Sequence, residues 1–147
     1  MGAHPKRKAA DRGCYLLLLD LARNRRIKIG RLGRFTFRKG TYVYVGSAER
    51  GLGARLARHL RRRKRFHWHI DYLRAACGQV AALPIRSSRR QECDVARAVA
   101  AVLEPGPAGF GSSDCRCPTH LFWSPGDPLA LPAFRAALDK FRMRPPE

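Results

Sequence analysis

Tyr42-Val43-Tyr44-Val45-Gly46-Ser47-Ala48 alternates aromatic and β-branched side chains, the pattern of a pleated, half-buried strand, and Gly46-Ser47 closes it. A helix is predicted almost at once. From Glu49 to about Arg63, Leu52, Leu56 and Leu60 recur every fourth residue as a narrow apolar stripe, and Arg55, Arg58 and Arg62 line up beside it. His59 falls at the border between the two.

Working outward toward the N-terminus, Phe35-Thr36-Phe37 and Ile27-Lys28-Ile29 alternate with period two around Gly30 and Gly33, which reads as a hairpin. Cys14 to Leu21 is a near-continuous apolar run of strand length, a central strand covered on both faces or, on periodicity alone, a short buried helix. An antiparallel sheet is implied. Toward the C-terminus, Arg61-Arg62-Arg63-Lys64-Arg65 runs into Phe66, His67, Trp68 and His69, and Trp68, Tyr72 and Ala76 read as the buried stripe of a short second helix, with Trp68 in the core. Gly78 to Ile85 is a further strand. Ser88 with Gln91 fits a capping box opening a helix from about Arg89 to Leu103, which Pro105-Gly106-Pro107 stops. A Gly/Ser loop from Gly109 to Ser113, a short strand at His120 to Trp123 and a last helix with Leu131, Phe134, Leu138 and Phe141 on one face complete the reading. The fold class is α/β, a small mostly antiparallel sheet flanked by helices, with a C-terminal strand-helix extension from about Gly109.

A chain of 147 residues suits one domain. Residues 1–12 read as a mobile basic tail and 13–147 as the single domain. Thirty Lys plus Arg against 11 Asp plus Glu leave a formal charge of +19, which points to a polyanionic partner, DNA first of all. No amphipathic anchor, lipid signal or membrane-length apolar run is evident, so no membrane partner is expected. Five cysteines without a signal peptide suggest a reducing, cytoplasmic setting rather than a disulfide framework.

Two constellations carry chemistry. Glu92 lies in line with Ala96, Val99 and Leu103 on the sheet-facing side of its helix. It is either an anion welcomed by the helix N-terminus or a ligand for a divalent cation such as Mg²⁺ or Mn²⁺, as phosphodiester-cleaving sites often use. Cys93, Cys115, Cys117 and His120 offer the three sulfurs and one nitrogen of a closed tetrahedral Zn²⁺ site, with buried free cysteines as the alternative. Arg58, Arg61, Arg62, Arg63, Lys64 and Arg65 are the candidate DNA-backbone contacts, or a solvated face.

Gly13-Cys14-Tyr15 opening a strand, then Tyr44-Val45-Gly46, then Arg55 on the next helix, resembles the GIY-YIG nuclease domain. The chain is most similar to a branch of unknown function sometimes fused to endonuclease III, through Tyr44-Val45-Gly46-Ser47-Ala48, Arg58-His59-Leu60, His67-Trp68-His69-Ile70-Asp71-Tyr72-Leu73 and Gly109-Phe110-Gly111-Ser112-Ser113-Asp114-Cys115. The resemblance spans roughly Gly13 to Leu121. It implies a metal-dependent endonuclease with a possible DNA-repair partner, in which Tyr15 and Tyr44 line the site and orient or activate water, Arg55 stabilises the scissile phosphate, and Glu92 holds the metal. His59 would be a proton donor, a water-orienting group or a packing histidine. No residue matches the late Asn of that family. The other function class consistent with these residues is a non-catalytic nucleic-acid-binding module on the same scaffold.

Overall fold

The computed structural model describes residues 11–142. Residues 1–10 of the predicted tail therefore lie outside the described residues. Asp11 and Arg12 are anchored: Asp11 accepts the Leu52 and Gly53 amides through its carbonyl and its carboxylate, and the Arg12 carbonyl accepts the Ser87 amide.

The near-continuous apolar run forms strand β1 (Gly13–Leu21), and the Tyr/Val stretch forms β4 (Gly40–Ala48). They pair antiparallel in a register that sets Tyr15 opposite Gly46, Leu17 opposite Tyr44 and Cys14 opposite Ser47. Between them, β2 (Arg25–Ile29) and β3 (Gly33–Phe37) form the predicted hairpin as a separate two-stranded ribbon. Strands β5 (Val80–Arg86), β6 (Glu104–Pro105) and β7 (Leu121–Ser124) complete a five-stranded antiparallel sheet of order β5-β1-β4-β7-β6. The C-terminal strand thus lies against β4 inside the main sheet.

Four helices cover the sheet: α1 (Leu52–Leu60), α2 (His69–Ala76), α3 (Glu92–Ala100) and α4 (Pro132–Arg142). Because strand side chains alternate, β1 and β4 feed two cores. Tyr15, Leu17, Tyr42 and Tyr44 pack under α1, α2 and the ribbon, whereas Cys14, Leu16, Val43 and Val45 pack under α3 and α4.

Several expected elements come out differently. Helix α1 is shorter than predicted, and its buried stripe is Leu52, Leu56 and His59, with Leu60 42% exposed. Its last carbonyls are satisfied from outside the helix: Lys64 Nζ donates to the carbonyls of Arg58, His59 and Arg61, and the Arg74 guanidinium to those of His59 and Leu60. In α2 the fully buried apolar positions are Ile70 and Leu73, not the Trp68–Tyr72–Ala76 stripe, so Trp68 is half-buried rather than core. Helix α3 starts at Glu92 instead of near Arg89, and Leu131 of the last predicted face is 39% exposed while Phe134 is buried.

Candidate functional site

The adjacent ends of β1 and β4 present different groups to the two layers. On the α1 side, the Tyr15 ring lies across Gly46, where a Cβ would come within 2.4 Å of the phenol oxygen. Tyr15 Oη is 2.7 Å from His59 Nε2, and Tyr44 flanks both rings with centroids 6.4 Å from each. Arg55 donates from Nη1 to the Ser47 carbonyl at 2.8 Å, and its charge acts on the Tyr15 phenol. Its guanidinium carbon lies 4.5 Å from the centre of the Trp68 ring, over which Arg58 also lies. Gly111 closes this cluster from the C-terminal loop: its backbone, with φ of 67°, sits against Tyr44 and donates to His69 Nδ1.

The two phenols and the His59 imidazole are buried. Tyr15 is 2% exposed, and burial pushes its phenol up to about 12 despite the neighbouring Arg55. Tyr44 is raised for the same reason, with Tyr15 beside it as the next cause. Arg55 therefore does not bring the phenol toward neutrality, because loss of solvent outweighs one partly solvated cation. Burial likewise lowers His59 to about 4, so its imidazole is neutral at pH 7. Its Nδ1 has no hydrogen-bond partner among the described residues.

On the α3 side, Glu92 occupies the first turn of its helix and faces the end of β4. Its Oε1 accepts from the Ser47 hydroxyl at 2.6 Å and its Oε2 lies 2.9 Å from His120 Nδ1. Burial opposes ionisation of Glu92, but the hydrogen bonds from His120 and Ser47 outweigh it and hold the carboxyl below its usual range. The same side chain is 30% exposed and lines an open cleft of about 330 Å³ with Gly13, Ser47, Asp94 and Asp114. Ser47 joins the two layers, since its carbonyl holds Arg55 and its hydroxyl holds Glu92. In the sequence Ser47 reads as a strand end within the Tyr44–Ala48 motif. Period-two alternation from Val43 and Val45 puts it on the α3 face, but nothing local signals a partner 45 residues away.

Cys93, Cys115, Cys117 and His120 come together as expected. One ligand atom from each lies within 4.8 Å of every other, so the cluster can hold a metal ion. All five cysteines of the chain are free. His120 is fully buried, with Nε2 3.4 Å from Cys115 Sγ.

The predicted basic run is divided by its hydrogen bonds. Arg58 forms a two-pronged pair with the fully buried Asp71 at 3.0 Å, Lys64 caps α1, and Arg62 donates to the Cys77 carbonyl. Arg61, Arg63 and Arg65 remain exposed. A second basic surface was not singled out from the sequence. Residues 22–39 contain six Arg and two Lys with no acidic residue, and the ribbon sets Lys28 directly opposite Arg34. Like charges facing across a strand pair are destabilising by themselves.

Among the described residues no helix is long and apolar enough to cross a membrane. A family profile described as "Domain of unknown function DUF123" matches residues 14–143. No curated protein and no solved structure matched the chain.

Proposed function

Since this chain belongs to the DUF123 family, whose description names no activity, we propose its function from the site: a DNA-binding, GIY-YIG-type endonuclease that hydrolyses a phosphodiester bond at the cleft beside Glu92. The observation that carries this reading is the Glu92–Ser47–Arg55 linkage, in which one residue holds a carboxylate and a guanidinium at the same strand end. The positions are those that the GIY-YIG resemblance assigns to metal binding and to phosphate stabilisation.

The cleft fits a hard cation. Mg²⁺ or Mn²⁺ takes oxygen donors, keeps most of its waters and needs only one or two carboxylates, and Glu92 offers a part-exposed carboxylate in a cleft that Asp94 and Asp114 also line. Such an ion would supply Lewis acidity to the phosphate and to a bound water. The chain's own residues do the rest. Arg55 has five N–H donors in a planar fork, and those beyond its bond to Ser47 suit the oxygens of a phosphate. The Ser47 carbonyl and the Trp68 ring hold that fork in place, and Tyr15 acts as a neutral hydrogen-bonding group rather than a base. DNA would be gripped by the ribbon cations, with Arg61, Arg63 and Arg65. The Cys93/Cys115/Cys117/His120 cluster, three sulfurs and one imidazole, suits structural Zn²⁺, and free thiols fit a cytoplasmic setting.

One observation favours the second reading, a binding module without cleavage. Tyr15 and Tyr44 are buried, and neither they nor Arg55 are among the residues lining the cleft. The deciding experiment assays linear, nicked, flapped and four-way DNA with Mg²⁺ or Mn²⁺, beside binding measurements at several salt concentrations. We expect affinity to fall steeply with salt, Glu92→Gln to bind but not cut, and Arg55→Ala to lose about a hundred- to a thousand-fold in rate. A wild-type chain that binds but cuts none of these substrates would establish the module instead.

A further inference from the structure

His120 faces two ways. Its Nε2 points into the sulfur cluster, 3.4 Å from Cys115 Sγ, while its Nδ1 lies 2.9 Å from Glu92 Oε2 and 3.0 Å from the Val45 carbonyl. A tetrahedral zinc with bonds of about 2.3 Å to sulfur and about 2.0 Å to nitrogen places neighbouring S and N ligands roughly 3.5 Å apart. The spacing of Cys115 and His120 is therefore that of two ligands of one ion. Ligation through Nε2 leaves the ring proton on Nδ1, where two acceptors already stand.

We propose that Glu92 is the carboxylate partner of a zinc-bound His120, so that occupancy of the Cys93/Cys115/Cys117/His120 site fixes the glutamate that faces the cleft. The inference rests on the zinc assignment made above but not on DNA cleavage. Metal-bound histidines almost always donate their second ring N–H to a carboxylate, carbonyl or water, which fixes the tautomer and strengthens the ligand. Here that partner has a second task. Oε2 is taken up by His120, and Oε1 accepts from the hydroxyl of Ser47, whose carbonyl in turn accepts from Arg55 of the other layer. The side chain is thereby pinned at both oxygens, one from the metal cluster and one from β4. The zinc site then stiffens the proposed catalytic carboxylate, and Glu92 is a positioning residue for the zinc ligand.

The test uses the full chain. Co²⁺ is titrated into metal-free wild type, Glu92→Gln and Glu92→Ala, with tetrahedral ligand-field and sulfur-to-cobalt absorption as the readout and zinc competition giving the affinity. Wild type should bind one ion per chain in an S₃N site, and both variants should bind it about ten- to a hundred-fold more weakly. In the zinc-loaded protein, nitrogen NMR of His120 should show the Nδ1–H tautomer with a slowly exchanging proton, and Glu92→Ala should expose that proton to exchange. This signal does not depend on the size of the affinity change and would not move if Glu92 merely filled space. Absence of a tetrahedral ion, wild-type affinity in both variants, or an unaltered His120 proton would each overturn the proposal. Tetrahedral binding that depends on Glu92, in a protein that cuts no DNA, would keep this linkage and remove the nuclease reading alone.

Discussion

Lowering the pH from 7 to 4 is expected to destabilise this protein by about 3 kcal/mol through the imidazole of His59 alone. Burial beneath Tyr15, Tyr44 and Trp68 lowers that group from 6.5 to about 4; Asp71 opposes the shift, and Lys64, Arg55 and Arg58 add to it. The unfolded chain takes up the proton near 6.5 and the folded chain only near 4, so between these values the unfolded state binds more protons. Stability must then fall as pH drops through this window and level off below it. At about 1.36 kcal/mol per pH unit, the gap is worth about 3 kcal/mol. Urea unfolding at half-unit intervals from pH 4 to 7, on wild type and His59→Gln, measures it. The two slopes are compared rather than the two stabilities, because the substitution changes packing at every pH, and other titrating groups such as His69 are common to both proteins. Wild type should lose about 3 kcal/mol more than the variant across the window. Parallel profiles would refute the reasoning, showing either that His59 reaches water or that its charged form finds a partner in the fold.

Other substitutions separate buried from exposed interactions. Asp71 accepts four hydrogen bonds, two from Arg58 and one each from the His67 and Trp68 amides, so Asp71→Ala should cost about 3–5 kcal/mol, read as a fall in Tm of roughly 10 °C. Removal of the exposed Arg38–Glu104 pair by Glu104→Ala, which leaves Arg38 stacked on Trp123, should cost less than about 1 kcal/mol, and an equal loss in both variants would contradict the burial argument. Gly46→Ala places a methyl 2.4 Å from the Tyr15 oxygen and should cost about 1–3 kcal/mol although the Gly46 backbone is unstrained; an unchanged Tm would mean that the ring moves freely.

Much of this molecule was legible because local patterns carry it. The Tyr/Val alternation of β4, the apolar run of β1, the ribbon and the leucine spacing of α1 each reflect a period that a dozen residues suffice to express. The meeting of Cys93 with Cys115, Cys117 and His120 also followed, since two of the thiols and the imidazole stand within six residues and only one ligand comes from elsewhere. What the tertiary structure decided is the partner of each charge. Whether Arg58 met a phosphate or Asp71, whether Lys64 faced water or the end of α1, and whether the phenol of Tyr15 was open or sealed under His59 depend on contacts between elements. The same holds for Glu92, whose place on the sheet-facing stripe was readable from helix geometry but whose bonds to Ser47 and His120 were not. Side-chain period tells which face a residue occupies, whereas solvation and hydrogen-bond partners depend on what the rest of the chain packs against that face.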